Sequence, residues 1–279
     1  MVGTCAVPGC QLRADRSAWR GTRHNGEGQV GPEEATAVVE GELRGVIALD
    51  GPSGTGKSTV ARRLATMLGT GYLDTGAMFR SVTLAVLRAG VDPSDEAAVA
   101  RVAEGVDLRI STDPVHQEIL LGDENVGAEI RGQAVTLAVS AVSAVPRVRE
   151  LLKQHQWRLV DEVCASCGGI VVEGRDIGTA IAPDAPLKVF LTASSDARAA
   201  RRTRQDAAEG RESTLDATKQ DVERRDKLDS GRAASPLQPA DDAVWLDTTH
   251  LDVAGVIDRI LAIVDERDLR GVVTGPGRW

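Results

Sequence analysis

No run of eighteen apolar residues occurs in this 279-residue chain, which excludes a membrane-spanning helix. The opening stretch, MVGTCAVPGCQLRADRSAWR, lacks the continuous apolar segment of a secretory leader, so the cytoplasm is the expected location. A basic excess is missing too: 33 Lys and Arg stand against 41 Asp and Glu, for a net charge of -8. A general nucleic-acid binder neutralises phosphates with such an excess, so neither nucleic acid nor a membrane is an expected partner. Lysine is scarce, occurring only at Lys57, Lys153, Lys188, Lys219 and Lys227, and arginine carries most of the positive charge. Its planar fork grips phosphates through paired hydrogen bonds, so the positions of the arginines carry the information. His24, His116, His155 and His250 fall outside every motif described below, which leaves nothing for a Ser/His/Asp triad. Cysteine is limited to Cys5, Cys10, Cys164 and Cys167. Cys164-Ala-Ser-Cys167 sits at a helix-to-strand connection, not at the strand-to-helix turn of a redox motif, and no cysteine-bound metal is expected.

What is present is an alternation of strand and helix patterns. Residues 1–42 mix Gly, Arg, Glu and Ala without a sustained apolar period and read as a disordered extension or a misassigned start. A single folded unit is expected over 43–268, with a tail over 269–279. It opens with Arg44-Gly-Val-Ile-Ala-Leu-Asp50, a short apolar run of the kind a buried parallel strand needs. A helix carrying Val60, Leu64 and Leu68 follows and stops at Gly69; another runs from Asp74-Thr75-Gly76 to Gly90. Residues 105–133 change character, with short strand-like runs at Val106–Ile110 and Glu118–Leu121, and read as a small β insertion. Pro146 opens a helix, where its missing N–H costs least. Further buried strands are expected at Gly169–Glu173, Leu187–Thr192 and Ala243–Asp247, with helices over 195–211, from Thr214 to about Leu228, and along the stripe Val253, Val256, Ile257, Ile260, Ile263 and Val264. This alternation predicts an α/β class with a mostly parallel sheet, whose ligands bind beyond the carboxyl ends of the strands.

The most specific motif falls at such an end. Gly51-Pro52-Ser53-Gly54-Thr55-Gly56-Lys57-Ser58, with Thr59 following, is a complete G-x-x-x-x-G-K-[ST] phosphate loop between a strand and a helix. Glycines let backbone N–H groups converge on phosphates, and the helix N-terminus adds partial positive charge. Lys57 reaches the β- and γ-phosphates, and the Ser58 hydroxyl is placed to ligate Mg²⁺. A nucleoside triphosphate is therefore the expected ligand. Leu73-Asp-Thr-Gly-Ala-Met-Phe-Arg80 offers a second helix start with an arginine one turn in, suited to a second anion.

Taken in order, GPSGTGKST, LDTGAMFR, AEIRG…VSAVSAVPRVRE, VEGRDIGT and RRDKLDSGRAASPL resemble the bacterial cytidylate kinases, nucleoside monophosphate kinases with a long insert in the acceptor-binding region. The resemblance covers about residues 44 to 267. It implies a P-loop kinase fold, a parallel sheet flanked by helices, with an acceptor-binding region over about 76–145 that contains the β insertion 105–133, and a short lid over about 195–212. It implies ATP and Mg²⁺ as cofactors, CMP or dCMP as the acceptor, and a monomer. It places Thr75, Arg80 and Arg175 around the acceptor phosphate, with Arg225 nearby, Phe79 near the acceptor, and Asp229 on the sugar hydroxyls. Ser140, Arg149, Asp176 and Arg232 would surround the base, with Glu173 reaching toward base or metal. The run Arg198, Arg201, Arg202 and Arg204 is similar to a lid that closes over ATP, with Arg201 and Arg202 joining Lys57 and Arg175 as the catalytic cations.

The chemistry of the residues agrees with that implication. Cytosine offers an N4 amine donor with acceptors at N3 and O2, for which a carboxylate among arginines is the complement. Uracil would set its O4 acceptor against Asp176. The acceptor phosphate has a second pKa of about 6 and is already an anion, so no catalytic base is needed, only fixed cations. Three positions depart from the family pattern: Phe79 in place of a tyrosine, Glu173 in place of an aspartate, and Leu228 where an arginine is common. Two other readings stay open at this level. One is a kinase for another small acceptor such as UMP. The other is a P-loop ATPase stimulated by nucleic acid, which the acidic chain argues against.

Overall fold

The computed structural model describes residues 43–208, 210 and 214–271. The extension expected over 1–42, with Cys5 and Cys10, lies outside them, as do residues 211–213 at the end of the expected lid and 272–279 of the tail. Strands β1 (Gly45–Asp50) and β2 (Gly71–Asp74) bracket helix α1 (Lys57–Met67), and helix α2 (Thr75–Arg88) follows at once. After α3 (Glu96–Glu104) come the short strands β3 (Leu108–Ile110), β4 (Ile119–Leu121) and β5 (Glu124–Asn125). Helices α4 (Gln133–Ala144) and α5 (Pro146–Cys167) lead into β6 (Gly169–Glu173) and β7 (Leu187–Thr192). Helices α6 (Ser195–Ala208) and α7 (Leu215–Ser230), strand β8 (Val244–Asp247) and helix α8 (Val253–Glu266) complete the fold.

The five long strands form one parallel sheet in the order β2-β6-β1-β7-β8. A parallel sheet needs helices on both faces, and period-two alternation along each strand supplies two apolar surfaces. Ala48, Ile170 and Val172 join one core with α2, α3, α4 and α5. Ile47, Leu49, Val171 and Leu191 join the other with α1 and α8. Helix α8 shows why its stripe was readable. Val256, Ile257, Ile260 and Val264 are buried, and the Asp252 carboxylate caps the first turn by accepting from the Gly255 N–H at 2.8 Å. Burial of each such side chain contributes about 1.5–3 kcal/mol before ordering costs, and a cap of this kind about 1 kcal/mol.

Strands β3, β4 and β5 form a separate antiparallel sheet inside the region read as an insertion. It is tied to the main sheet where the Tyr72 N–H donates to the Thr112 carbonyl at 2.9 Å. At the opposite end of β1 from the phosphate loop, Leu43 bridges Arg270, and both Leu43 and Leu269 are buried in the α1/α8 core. Cys164 and Cys167 are not joined in a disulfide and lie buried in the last turn of α5, and burial pushes the Cys164 thiol up to about 12. Among the described residues, no helix is long and apolar enough to cross a membrane.

The carboxyl ends of β1, β2, β6 and β8 each carry an acid: Asp50, Asp74, Glu173 and Asp247. Asp74 and Asp247 organise the backbone just beyond their own strands, whereas Asp50 and Glu173 reach groups on other elements. Asp74, for example, caps α2 by accepting from the Ala77 N–H at 2.9 Å. The candidate site is built on that acidic edge.

Candidate active site

The chain turns sharply after β1. Gly51 has φ 144°, and a Cβ there would stand 2.2 Å from the Leu191 carbonyl oxygen, so only glycine fits. Lys57 opens α1 and folds its ammonium back onto the loop, donating to the carbonyls of Gly51 at 2.7 Å and Pro52 at 2.8 Å. Burial, and then the nearby Arg175 guanidinium, hold its pKa well below the ordinary lysine range. The Thr55 hydroxyl donates to the Pro52 carbonyl at 3.2 Å. Ser58 and Thr59 face solvent.

The Ser58 hydroxyl donates to Glu173 Oε2 at 3.0 Å, and the buried Tyr72 hydroxyl donates to Oε1 at 2.5 Å. Burial, and then the Asp74 carboxylate, push Glu173 up to about 7. Glu173 was grouped with the acceptor residues by sequence. Of the two directions expected for it, base or metal, its carboxylate takes the one toward the phosphate loop, because β6 is the neighbour of β1 and its last side chain points at the start of α1. The Thr75 hydroxyl is buried and donates to the Glu173 carbonyl at 2.7 Å.

A second cluster forms where α2, α4, α5, α7 and the segment after β6 converge. Asp176 takes Arg149 Nη2 at 2.5 Å, and both side chains are nearly covered. Its partner is Arg149 and not the neighbouring Arg175. Arg149 also donates to the Ser143 carbonyl at 3.0 Å and lies over the Phe79 ring, 5.2 Å from its centroid. Arg232 donates to the Ser143 hydroxyl at 3.3 Å, and the buried Ser140 carbonyl accepts from that hydroxyl at 3.1 Å. Asp229 gathers the arginines: Arg175 at 3.1 Å, Arg232 at 3.7 Å and Arg225 at 4.0 Å. Burial alone would raise the Asp229 pKa, but Arg175, Arg225 and Arg232 outweigh it and hold the carboxyl below the usual range.

Between the two clusters the cations crowd one another. Burial, then Arg225 and Arg202, lower Arg80 well below the ordinary arginine range; burial and then Arg175 lower Arg225 to about 10. Arg80 donates to the Ile130 carbonyl and the Thr136 hydroxyl, each at 3.0 Å. Arg225 Nε is buried without a hydrogen-bond partner among the described residues. Lys57, Arg80, Arg175, Arg202 and Arg225 thus share one region in which neighbouring cations help to hold Lys57, Arg80 and Arg225 below their ordinary ranges, an arrangement that suits a polyanion.

The two arginines singled out in the lid diverge. Arg202 pairs with Asp206 at 3.3 Å and faces the cation group. Arg201 turns the other way, to the hydroxyl of Thr248 at 2.9 Å, the Thr248 carbonyl and the carbonyls of Leu251 at 3.3 Å and Thr55 at 3.4 Å.

The cytidylate kinase family model matches residues 47–266, which spans both clusters and the whole sheet. The chain belongs to the cytidylate kinase family. It is 58% identical over 222 residues to the cytidylate kinase of Rhodococcus opacus strain B4, covering 80% of this chain and 95% of that one. It is 55% identical to the cytidylate kinase of Nocardia farcinica (80% and 94%) and 52% identical to that of Mycolicibacterium paratuberculosis (80% and 96%). Among solved structures, a shikimate kinase from Acinetobacter baumannii is similar at 15% identity and a TM-score of 0.40, over 82% of this chain and 97% of that one, too distantly to add to the assignment.

Against that family pattern, the geometry gives Arg198 of the lid run a place of its own and adds Asp226, Tyr72 and Ser143, which motif reading passed over. Arg198 is buried; its Nη1 donates to the Ser53 carbonyl at 3.1 Å and pairs with Asp226. Asp226 in turn accepts from the Ser53 N–H at 3.1 Å, so both backbone polar groups of this loop residue are held by side chains from α6 and α7. Tyr72 and Ser143 join the set through Glu173 and Arg149.

Proposed function

We propose that this cytidylate kinase family member transfers the γ-phosphoryl group of ATP to CMP or dCMP, giving CDP or dCDP by direct in-line displacement. The observation that supports this most is the mutual crowding of Lys57, Arg80, Arg175, Arg202 and Arg225 between a phosphate loop and an arginine–carboxylate pocket. Two polyanions brought end to end need such cations, both to offset their repulsion and to stabilise charge on the transferring group.

In this reading Gly51, Pro52, Ser53, Gly54, Thr55, Gly56, Lys57, Ser58 and Thr59 cradle the donor phosphates. Mg²⁺, when bound, neutralises charge between those phosphates; Ser58 is the residue that would hold it, with Glu173 behind. That oxygen pair fits a hard cation, and the absence among the described residues of a cluster of three or more His, Cys, Asp or Glu suits an ion that also draws on phosphate and water. Thr75, Arg80 and Arg175 receive the acceptor phosphate, with Arg225 beside them, and Asp229 takes the sugar hydroxyls on the carboxylate that orders the arginines. Asp176 accepts from the cytosine N4 amine, with Ser140, Arg149 and Arg232 around the ring and Phe79 beneath Arg149. An oxygen of the acceptor phosphate attacks the γ-phosphorus while the bond to the ADP oxygen breaks. The nucleophile is already ionised and needs no base. Residues 195–212 act as the lid, with Arg202 turned to the transferring group and Arg201 joining the phosphate loop to the turn after β8. We place this enzyme in the cytoplasm as a monomer.

Steady-state assays with a panel of nucleoside monophosphates test the reading. CMP and dCMP are expected to exceed UMP and AMP by about a hundredfold or more in kcat/KM, because an unmatched acceptor in a buried pocket costs several kcal/mol. Equal rates with UMP, or ATP consumption driven by RNA and not by CMP, would overturn it.

A further inference from the structure

Asp50 closes β1 directly before the phosphate loop, yet the chemistry above gives it nothing to do. It is only 4% exposed. Its Oδ1 accepts from the Ile177 N–H at 2.9 Å and its Oδ2 from the Gly178 N–H at 2.8 Å. Those two residues begin the buried π-helical turn Ile177–Ile181, which follows Arg175 and Asp176 without a break. The turn closes on itself through Ala180 N–H to the Asp176 carbonyl at 2.9 Å and Ala182 N–H to the Ile177 carbonyl at 2.7 Å. The first N–H groups of any helical turn lack partners within it, and here one distant carboxylate supplies both.

The arrangement is costly. Burial pushes Asp50 up to about 6, and the nearby Asp176 carboxylate adds to that against the two backbone bonds and Lys57. Lone π-helical turns and buried ions tend to be kept at functional sites. The geometry points to Asp50 as a positioning residue for acceptor recognition: it anchors the turn after β6 to the donor strand, so that Arg175 and Asp176 are presented to the acceptor in a fixed orientation. This rests on the CMP kinase reading and names the residue that holds its acceptor end in register.

Asp50→Asn keeps the shape but turns an amide N–H₂ toward one of the two N–H groups, so one bond is lost. The expected result, with folding checked by the melting transition, is a rise in the CMP KM of about tenfold, an ATP KM within about twofold of wild type, and a smaller preference for CMP over UMP. In the double variant with Asp176→Ala the CMP:UMP ratio should fall no further than in Asp176→Ala alone, since Asp50 acts on that ratio through Asp176. An equal rise in both KM values, or multiplying effects on the ratio, would show an ordinary buried polar group and overturn the proposal. A second measurement needs no variant: amide hydrogen exchange of wild-type Ile177 and Gly178 should slow several-fold further when CMP binds. Unchanged exchange at both amides would count equally against it. If the wild-type chain itself fails to phosphorylate CMP, the functional reading has failed and this inference falls with it; if CMP is phosphorylated normally and Asp50→Asn is indistinguishable, only the Asp50 role is lost.

Discussion

The two clusters of the candidate site are built in opposite ways. The phosphate-loop end comes almost entirely from one contiguous stretch, and its lysine is held by backbone carbonyls at 2.7 and 2.8 Å. The acceptor end is assembled from α2, α4, α5, α7 and the segment after β6, and four of its arginines are held by carboxylates: Arg149 by Asp176, and Arg175, Arg225 and Arg232 around Asp229. Neutral carbonyls leave the Lys57 charge free to meet any triphosphate. Carboxylate partners orient arginines rigidly and also read a donor amine, so discrimination belongs at that end.

This contrast can be broken or sharpened by substitution. Lys57→Ala should lower kcat by about a thousandfold with CMP and UMP alike in a coupled assay, since it removes charge stabilisation common to all acceptors. A loss confined to CMP would erase the distinction between the ends. Asp229→Asn leaves three arginines sharing no carboxylate and should cost about 3 kcal/mol in urea unfolding at pH 7. The folded-state pKa of Asp229 lies below its ordinary value of 3.8, so its contribution is fully present above that value and is lost as pH falls through the folded pKa. The gap between wild type and variant should therefore narrow when unfolding is repeated near pH 3. Asp176→Ala should reduce the CMP:UMP ratio of kcat/KM by about a hundredfold while changing the ATP KM little. Arg198→Met should raise the ATP KM by about tenfold and leave the CMP:UMP ratio alone, because Arg198 and Asp226 grip the Ser53 peptide and touch nothing at the base end.

The same contrast explains what the sequence could reveal. The phosphate loop is local, so spacing and residue type suffice. The sheet strands were legible because parallel strands are continuous apolar runs ending in turn residues, and β1, β6, β7 and β8 fall within a residue of their expected bounds. Helices α3 and α4 went unread: EAAVARVAE and QAVTLAVSAVSA are rich in Ala, Val and Ser, which gives a helical stripe little contrast. At the acceptor end the resemblance supplied residues but not their partners. Nothing local links Asp50 to Ile177 across 127 positions, Tyr72 to Glu173 across 101, or Ser53 to Asp226 across 173. The place of Glu173 was hidden for the same reason. Its neighbours in sequence belong to the acceptor side, while the pairing of β6 with β1 delivers its carboxylate to Ser58.

The Leu43–Arg270 bridge has a practical corollary. It brings the entry and exit of the folded unit together at the amino edge of the sheet, the pole farthest along β1 from the phosphate loop. Fluorophores, affinity handles or a fusion partner spliced onto either side of that bridge would ride on the back of the enzyme, a matched pair of attachment points set well away from the phosphate loop.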